Sequence, residues 1–169
     1  MNATLLTRLL THLFGKPEEI NGGNRCPTYL YRWAILPRWL SSRIGKVNVY
    51  LHRFVGDDWA LDLHDHPKRF ISIGLWGSYV EHTTWPADGE RFLSSVDDHR
   101  RVVYRAPWFR TFPARHIHRL TGPTPDRPCW TLVIVGREVR SWGFWNLGQF
   151  IPWKRYVTSS TADERKACP

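Results

Sequence analysis

The sequence predicts an all-β domain, a sandwich or barrel of short strands, with one short helix at its N-terminus. Three observations carry that prediction. From residue 28 onward, segments rich in aromatic and β-branched residues recur at short intervals between turn signals, the pattern of an antiparallel all-β fold. Residues 1–19 instead carry leucines at helical spacing. The chain has 169 residues, 42% of them hydrophobic and 14% aromatic, with 10 Trp, which excludes a disordered protein and supports a core that needs no disulfides. This length fits one domain over 1–169: helix and arm over 1–26, barrel over 27–157, flexible tail over 158–169.

In "MNATLLTRLLTHLFGKPEE", Leu5, Leu6, Leu9, Leu10, Leu13 and Phe14 recur with Arg8 and His12 between them, so an amphipathic helix ends at Gly15. No small-residue cleavage site follows it. Docking on the body of the domain is its expected role, and a membrane-surface or partner-binding helix is the alternative. "TYLYRWAIL" reads as a strand. So does "KVNVYLHRF", where Val47, Val49 and Leu51 alternate with Asn48, Tyr50 and His52, and "GDD" at 56–58 turns the chain. "RFISIGLWGSYVEHTTW" runs to a turn at "PADG", 86–89, followed by "RFLSSV", "RRVVYRA", "HRLTG" and "CWTLVIVG". "WGFWNLGQFIPWKRYV" is too aromatic to hang in water and is expected to pack back on the barrel. The polar "TSSTADERKACP" closes the chain, and there is no internal repeat or low-complexity segment.

Charge and cysteines narrow the function classes. The formal charge is +9 with a pI near 9.9, but Lys and Arg are scattered from Arg8 to Lys166, and no zinc finger, recognition helix or RNA-binding sheet motif is present. The distribution argues against nucleic acid and suits small anions equally well. Cys26, Cys129 and Cys168 are odd in number and far apart, unlike a secreted disulfide framework or a zinc knuckle, so a reducing, cytoplasmic setting is expected. No run approaches the roughly 18 apolar residues of a spanning helix.

Chemistry enters with "LHDHPKRFISIGLWGSYVE". On an extended chain His64 and His66 project to one face while Asp65 turns away. A second pair, His116 and His118, lies in "APWFRTFPARHIHRL", where Pro113 opens a turn and alternation again places both on one face. Either pair alone also suits a polar strand edge. Two pairs in an all-β chain point to a metal, because imidazole is the commonest metal ligand and a barrel mouth brings separate strands together.

These residues resemble the cupin superfamily. In its first motif, His64 and His66 match and Gly77 falls at the closing glycine, while Phe70 stands in place of the motif's Glu and Asp58 in place of its leading glycine. In its second motif, Pro113 and His118 match, with Pro107 and Arg115 at glycine positions and Gly122 at the terminal Asn position. The resemblance spans residues 45–136. It implies a double-stranded β-helix, or jelly roll, holding one divalent metal on His64, His66 and His118. A neutral three-histidine set is similar to that of thiol dioxygenases and implies iron(II) first, with zinc, nickel or manganese as alternatives. Glu81, Asp62 and His116 are candidates for a displaced fourth ligand.

Lys68, Arg69, Arg105, Arg115 and Arg119 crowd these motifs, and a planar guanidinium suits a carboxylate or phosphate. The expected substrate is a small anionic molecule held by Arg69, Arg105 or Arg119, with Tyr50, His52, Tyr104 and Trp108 as pocket walls. Oxygenation at iron(II) is the expected reaction. The alternatives are isomerase, epimerase or lyase chemistry, with His116 or Tyr104 as general base, and a non-catalytic module for an anion or nucleotide. The "YLYRWAIL" strand is expected either to offer a homodimer edge or to close its own sheet.

Overall fold

The alternating segments assemble into two six-stranded antiparallel sheets. The computed structural model describes residues 3–22, 26–83 and 100–158. In chain order its elements are α1 (Ala3–Phe14), β1 (Glu18–Ile20), β2 (Leu30–Ala34), α2 (Arg38–Arg43), β3 (Asn48–Phe54), β4 (Leu63–His64), β5 (Lys68–Trp76), β6 (Ser78–Thr83) and β7 (Arg100–Arg105). Then follow β8 (Trp108–Phe112), β9 (His118–Thr121), β10 (Cys129–Glu138), β11 (Gly143–Asn146), β12 (Gln149–Pro152) and α3 (Trp153–Thr158). The first sheet runs β1-β2-β3-β10-β5-β8 and the second β12-β11-β4-β9-β6-β7, the layout of a jelly roll. "PADG" and "RFLSSV" fall outside the described residues, as does the tail from residue 159.

Between the sheets, Leu30, Phe54 and Cys129 of the first pack with Tyr79 and Leu120 of the second. α1 ends at Gly15 in the left-handed region, φ 81°, the usual C-terminal stop. Its Leu10 is buried against Trp33 and Trp130, whose rings stack 5.9 Å apart, with Leu6, Ile35 and Leu51 around them. That docking explains the polarity of β3. Leu51 faces the helix cluster, while Tyr50, His52 and Phe54 face a cavity between the sheets. A cavity on the inner face and a helix-covered outer face invert the usual sense of alternation.

The C-terminal aromatics do pack back: Phe144 stacks on Tyr156 at 3.9 Å, and both are buried with Ala60. Gly77 makes the β5–β6 turn at φ 82°, and a Cβ there would sit 2.3 Å from the Pro128 carbonyl oxygen, so only glycine fits. β2 pairs with β3 along its length and with β1 over Leu30, Tyr31 and Arg32, so over those residues it lies within its own sheet. The reading of the cysteines as unlike a disulfide framework, in a reducing setting, is corrected at Cys26, which is disulfide-bonded; spacing along the chain does not limit which thiols meet in space. Cys129 is free, and burial pushes its thiol up to about 12. No helix among the described residues is long and apolar enough to cross a membrane.

Candidate metal centre

The sheet register builds the centre. β4 and β9 pair with His64 directly opposite His118, so the two motif segments meet across one ladder. β4 ends at His64, and His66 lies just beyond it, yet the two rings stay 5.1 Å apart because Asp65 is anchored between them. The Asp65 carboxylate is buried and turned away. It accepts hydrogen bonds from the Gly143 backbone N–H at 2.9 Å and the Trp145 indole at 3.2 Å, and pairs with Arg140. The His66 and His118 Nε2 atoms are 2.8 Å apart, and the three histidines offer ligand nitrogens all within 4.8 Å of one another.

Glu81, on β6, completes the arrangement from behind. It is 1% exposed, and its Oε1 accepts from His118 Nδ1–H at 2.8 Å and His116 Nε2–H at 2.9 Å. Its Oε2 accepts from Arg110 Nη2 at 2.7 Å. Burial pushes this carboxyl upward, but the hydrogen bonds from His116, His118 and Arg110 outweigh it and hold the pKa well below the usual carboxylate range. Burial is also the main reason the three histidines stay neutral: His64 and His66 are lowered and His118 is pushed down to about 4. Neutral imidazoles with Nδ1 of His118 already spoken for leave its Nε2 lone pair for a cation. The donor set therefore fits a divalent metal.

His64, His66 and His118 line a cavity of about 500 Å³. Its walls include Trp59, Trp142 and Phe144 toward the second sheet and Tyr50, His52 and Val133 on the first. Phe70, at the motif's Glu position, also lines it, with its ring 4.8 Å from that of His66 and stacked on Phe112 at 4.5 Å. The cavity cations are Arg32 and Lys68. Arg32 lies over the Tyr50 ring at 4.8 Å and is bound to Glu18 at 2.7 Å.

The other sequence-derived candidates lie elsewhere. Arg69, Arg105 and Arg115 are exposed, and Arg119 is half-buried but does not line the cavity. Strand parity decides this: Lys68 and Phe70 face inward, so Arg69 faces out. Tyr104 packs under Arg110, 3.7 Å from its guanidinium, outside the cavity. His116 sits in the turn before β9 and reaches Glu81, not the cavity. Of the three fourth-ligand candidates, none groups with His64 and His66. Asp62 accepts from Asn146 at 2.8 Å and Tyr156 at 2.9 Å. Asp58, at the motif's leading glycine, accepts the Leu120 backbone N–H at 2.7 Å and lies 3.8 Å from His64 Nδ1.

Two residues escaped sequence reasoning. Arg110 alternates with Trp108 and Phe112, and a lone cation on an otherwise aromatic face was the available signal. Arg32 shares parity with buried Leu30, which marks it as inward-facing.

No protein-family model matches the sequence, and no curated protein does. Solved structures do match. An oxalate decarboxylase from Lactobacillus farciminis in a formate complex aligns with TM-score 0.52 and 16% identity, over 88% of this chain and 37% of that one. The chain has the cupin fold. A predicted oxalate decarboxylase from Thermotoga maritima aligns with TM-score 0.49 and 14% identity, over 71% of this chain and 90% of that one. A DMSP lyase from Ruegeria pomeroyi aligns with TM-score 0.47 and 14% identity, over 75% of this chain. This chain spans 58% of the lyase's length. Within the cupin fold, the histidine cluster lies where β4 and β9 meet at the cavity wall.

Proposed function

We propose that this chain is a mononuclear metal enzyme acting on a small anionic molecule inside the cupin cavity, with oxygen chemistry at iron(II) as the first reading. The observation that supports it is the divided use of His118: a buried carboxylate takes Nδ1–H, and Nε2 faces His66 at the cavity wall. Bound to the three imidazoles, iron(II) would supply oxygen activation, and zinc, nickel or manganese would supply polarisation of a carbonyl or carboxylate. Lys68 has no ion-pair partner among the described residues and sits in the cavity wall, so it is the proposed anchor for the substrate's charge. Arg32, steadied by Tyr50 and Glu18, is the second. Trp59, Trp142 and Phe144 add apolar surface to the wall.

One observation favours the isomerase or lyase reading. Asp58 lines the cavity 3.8 Å from His64, and burial raises its pKa, which makes its carboxylate a stronger base. Oxygen consumption decides between them. An iron-loaded sample given a panel of small organic anions should take up oxygen only with a fitting substrate, while the zinc-loaded form binds it without uptake. Equal turnover with both metals and no uptake would favour the isomerase or lyase. Tight binding without turnover would favour a receptor module.

A further inference from the structure

Two groups of three donors lie close enough to hold a metal among the described residues, and they share His118. The first is His64, His66 and His118. The second is Glu81, His116 and His118, whose ligand atoms also lie within 4.8 Å of one another. On donor chemistry alone the second is the stronger site, because it carries the only carboxylate of the two sets. Yet a metal there would need His118 Nδ1, and the proposed centre depends on that nitrogen being held as a donor to Glu81.

The second group's carboxylate is paired on its other oxygen with Arg110. Its Nη2 lies 2.7 Å from Glu81 Oε2 and its Nη1 donates to the Tyr79 hydroxyl at 3.1 Å. Its guanidinium is also fixed between rings, 3.7 Å from Tyr104 and 4.4 Å from Phe112. Two hydrogen bonds and two aromatic faces hold a full positive charge against the only carboxylate of the set, and that side chain is only 19% exposed. A divalent ion on Glu81 would meet this like charge at close range, where little water screens it. With its charge already balanced, Glu81 acts as an acceptor for His116 and His118 and not as a ligand.

We infer that Arg110 is the resident cation of a latent second metal site, and that it directs metal to His64, His66 and His118 by closing the Glu81, His116 and His118 alternative. This inference rests on the metal reading above, and it makes Arg110 a positioning residue that acts through Glu81. The planar fork and the ring stacking explain why arginine serves here.

Cobalt(II) titration of the full chain, followed by bound-metal stoichiometry and the visible absorption of the ion, tests it. The parent should saturate at one equivalent with a single visible band. Because the two groups share His118, Arg110→Gln, which removes the charge but keeps a polar side chain, should still bind one equivalent but divide it between the two groups, so that a second absorption band appears. His116→Ala on that background should abolish the second band, and Arg110→Lys, which retains the charge, should keep the parent's spectrum. A parent that binds two equivalents with similar affinity overturns the inference even if no variant folds. So does an Arg110→Gln protein with the parent's near-ultraviolet circular dichroism and the parent's metal spectrum. A parent that binds none while Arg110→Gln binds one would retain the guarding role and overturn the three-histidine centre instead.

Discussion

The two His-x-His pairs are identical in spacing and opposite in fate. His64 and His66 both reach the cavity, whereas His116 and His118 converge on Glu81 and only His118 also reaches the cavity. The difference lies in the backbone. The first pair follows a strand and is clamped through Asp65 by Gly143, Trp145 and Arg140. The second straddles the end of a turn, with the His116 N–H bonded to the Pro113 carbonyl at 3.0 Å, so period-two alternation begins only at His118. Spacing predicts a shared face only where the chain is extended.

The largest test of this contrast is ligand removal. His66→Ala and His118→Ala should each lower metal affinity by several orders of magnitude, and His116→Ala by no more than about tenfold, as read by competition with a metal-sensitive dye. A His118→Ala protein that binds like the parent would make His116 the next ligand to test. Next in size is Glu81→Gln, which loses the charge that fixes the His118 tautomer and leaves Arg110 half-buried without its partner. Metal affinity should fall about 10–100-fold, and denaturant unfolding should show a loss of about 3 kcal/mol in the metal-free protein.

A smaller effect separates inward from outward cations. Arg32→Gln or Lys68→Gln should weaken binding of a small carboxylate by about 1.5–3 kcal/mol by calorimetry, while Arg69→Gln and Arg105→Gln should leave it unchanged. Indifference to all four would point to a neutral substrate. The smallest concerns pH. Burial, with Arg32 adding to it, pushes His52 down to about 3, below its unfolded value. The unfolded chain therefore binds the extra proton first, so the His52 contribution is intact above about pH 6.5 and erodes as pH falls toward 3. Glu81, also lowered, acts in the same direction at more acidic pH. Between pH 7 and 5 the metal-free parent should lose about 1–2 kcal/mol more than His52→Gln, measured by urea unfolding at both pH values.

Much of this was legible in the residues themselves. Short alternating segments and turn signals are local properties, and they sufficed for the all-β class, the helix ending at Gly15 and two histidine pairs; the set of His64, His66 and His118 came from the resemblance to cupins, and the turn at Gly77 interrupts a segment that reads as running on to residue 86. The sense of each strand's alternation was not local. β3 shows Tyr50 and His52 to the cavity because α1 covers the other face, and Lys68 faces inward while Arg69 does not because β5 is pinned between β10 and β8. The roles of Glu81 and Arg110 were more distant still. Glu81 lies 37 residues before His118 and 29 before Arg110, and nothing along the chain says that β6, β8 and β9 will bring them within hydrogen-bond reach. Local pattern determined which side chains could bind a metal. Sheet register, which depends on contacts far apart in the chain, decided which of them face one another.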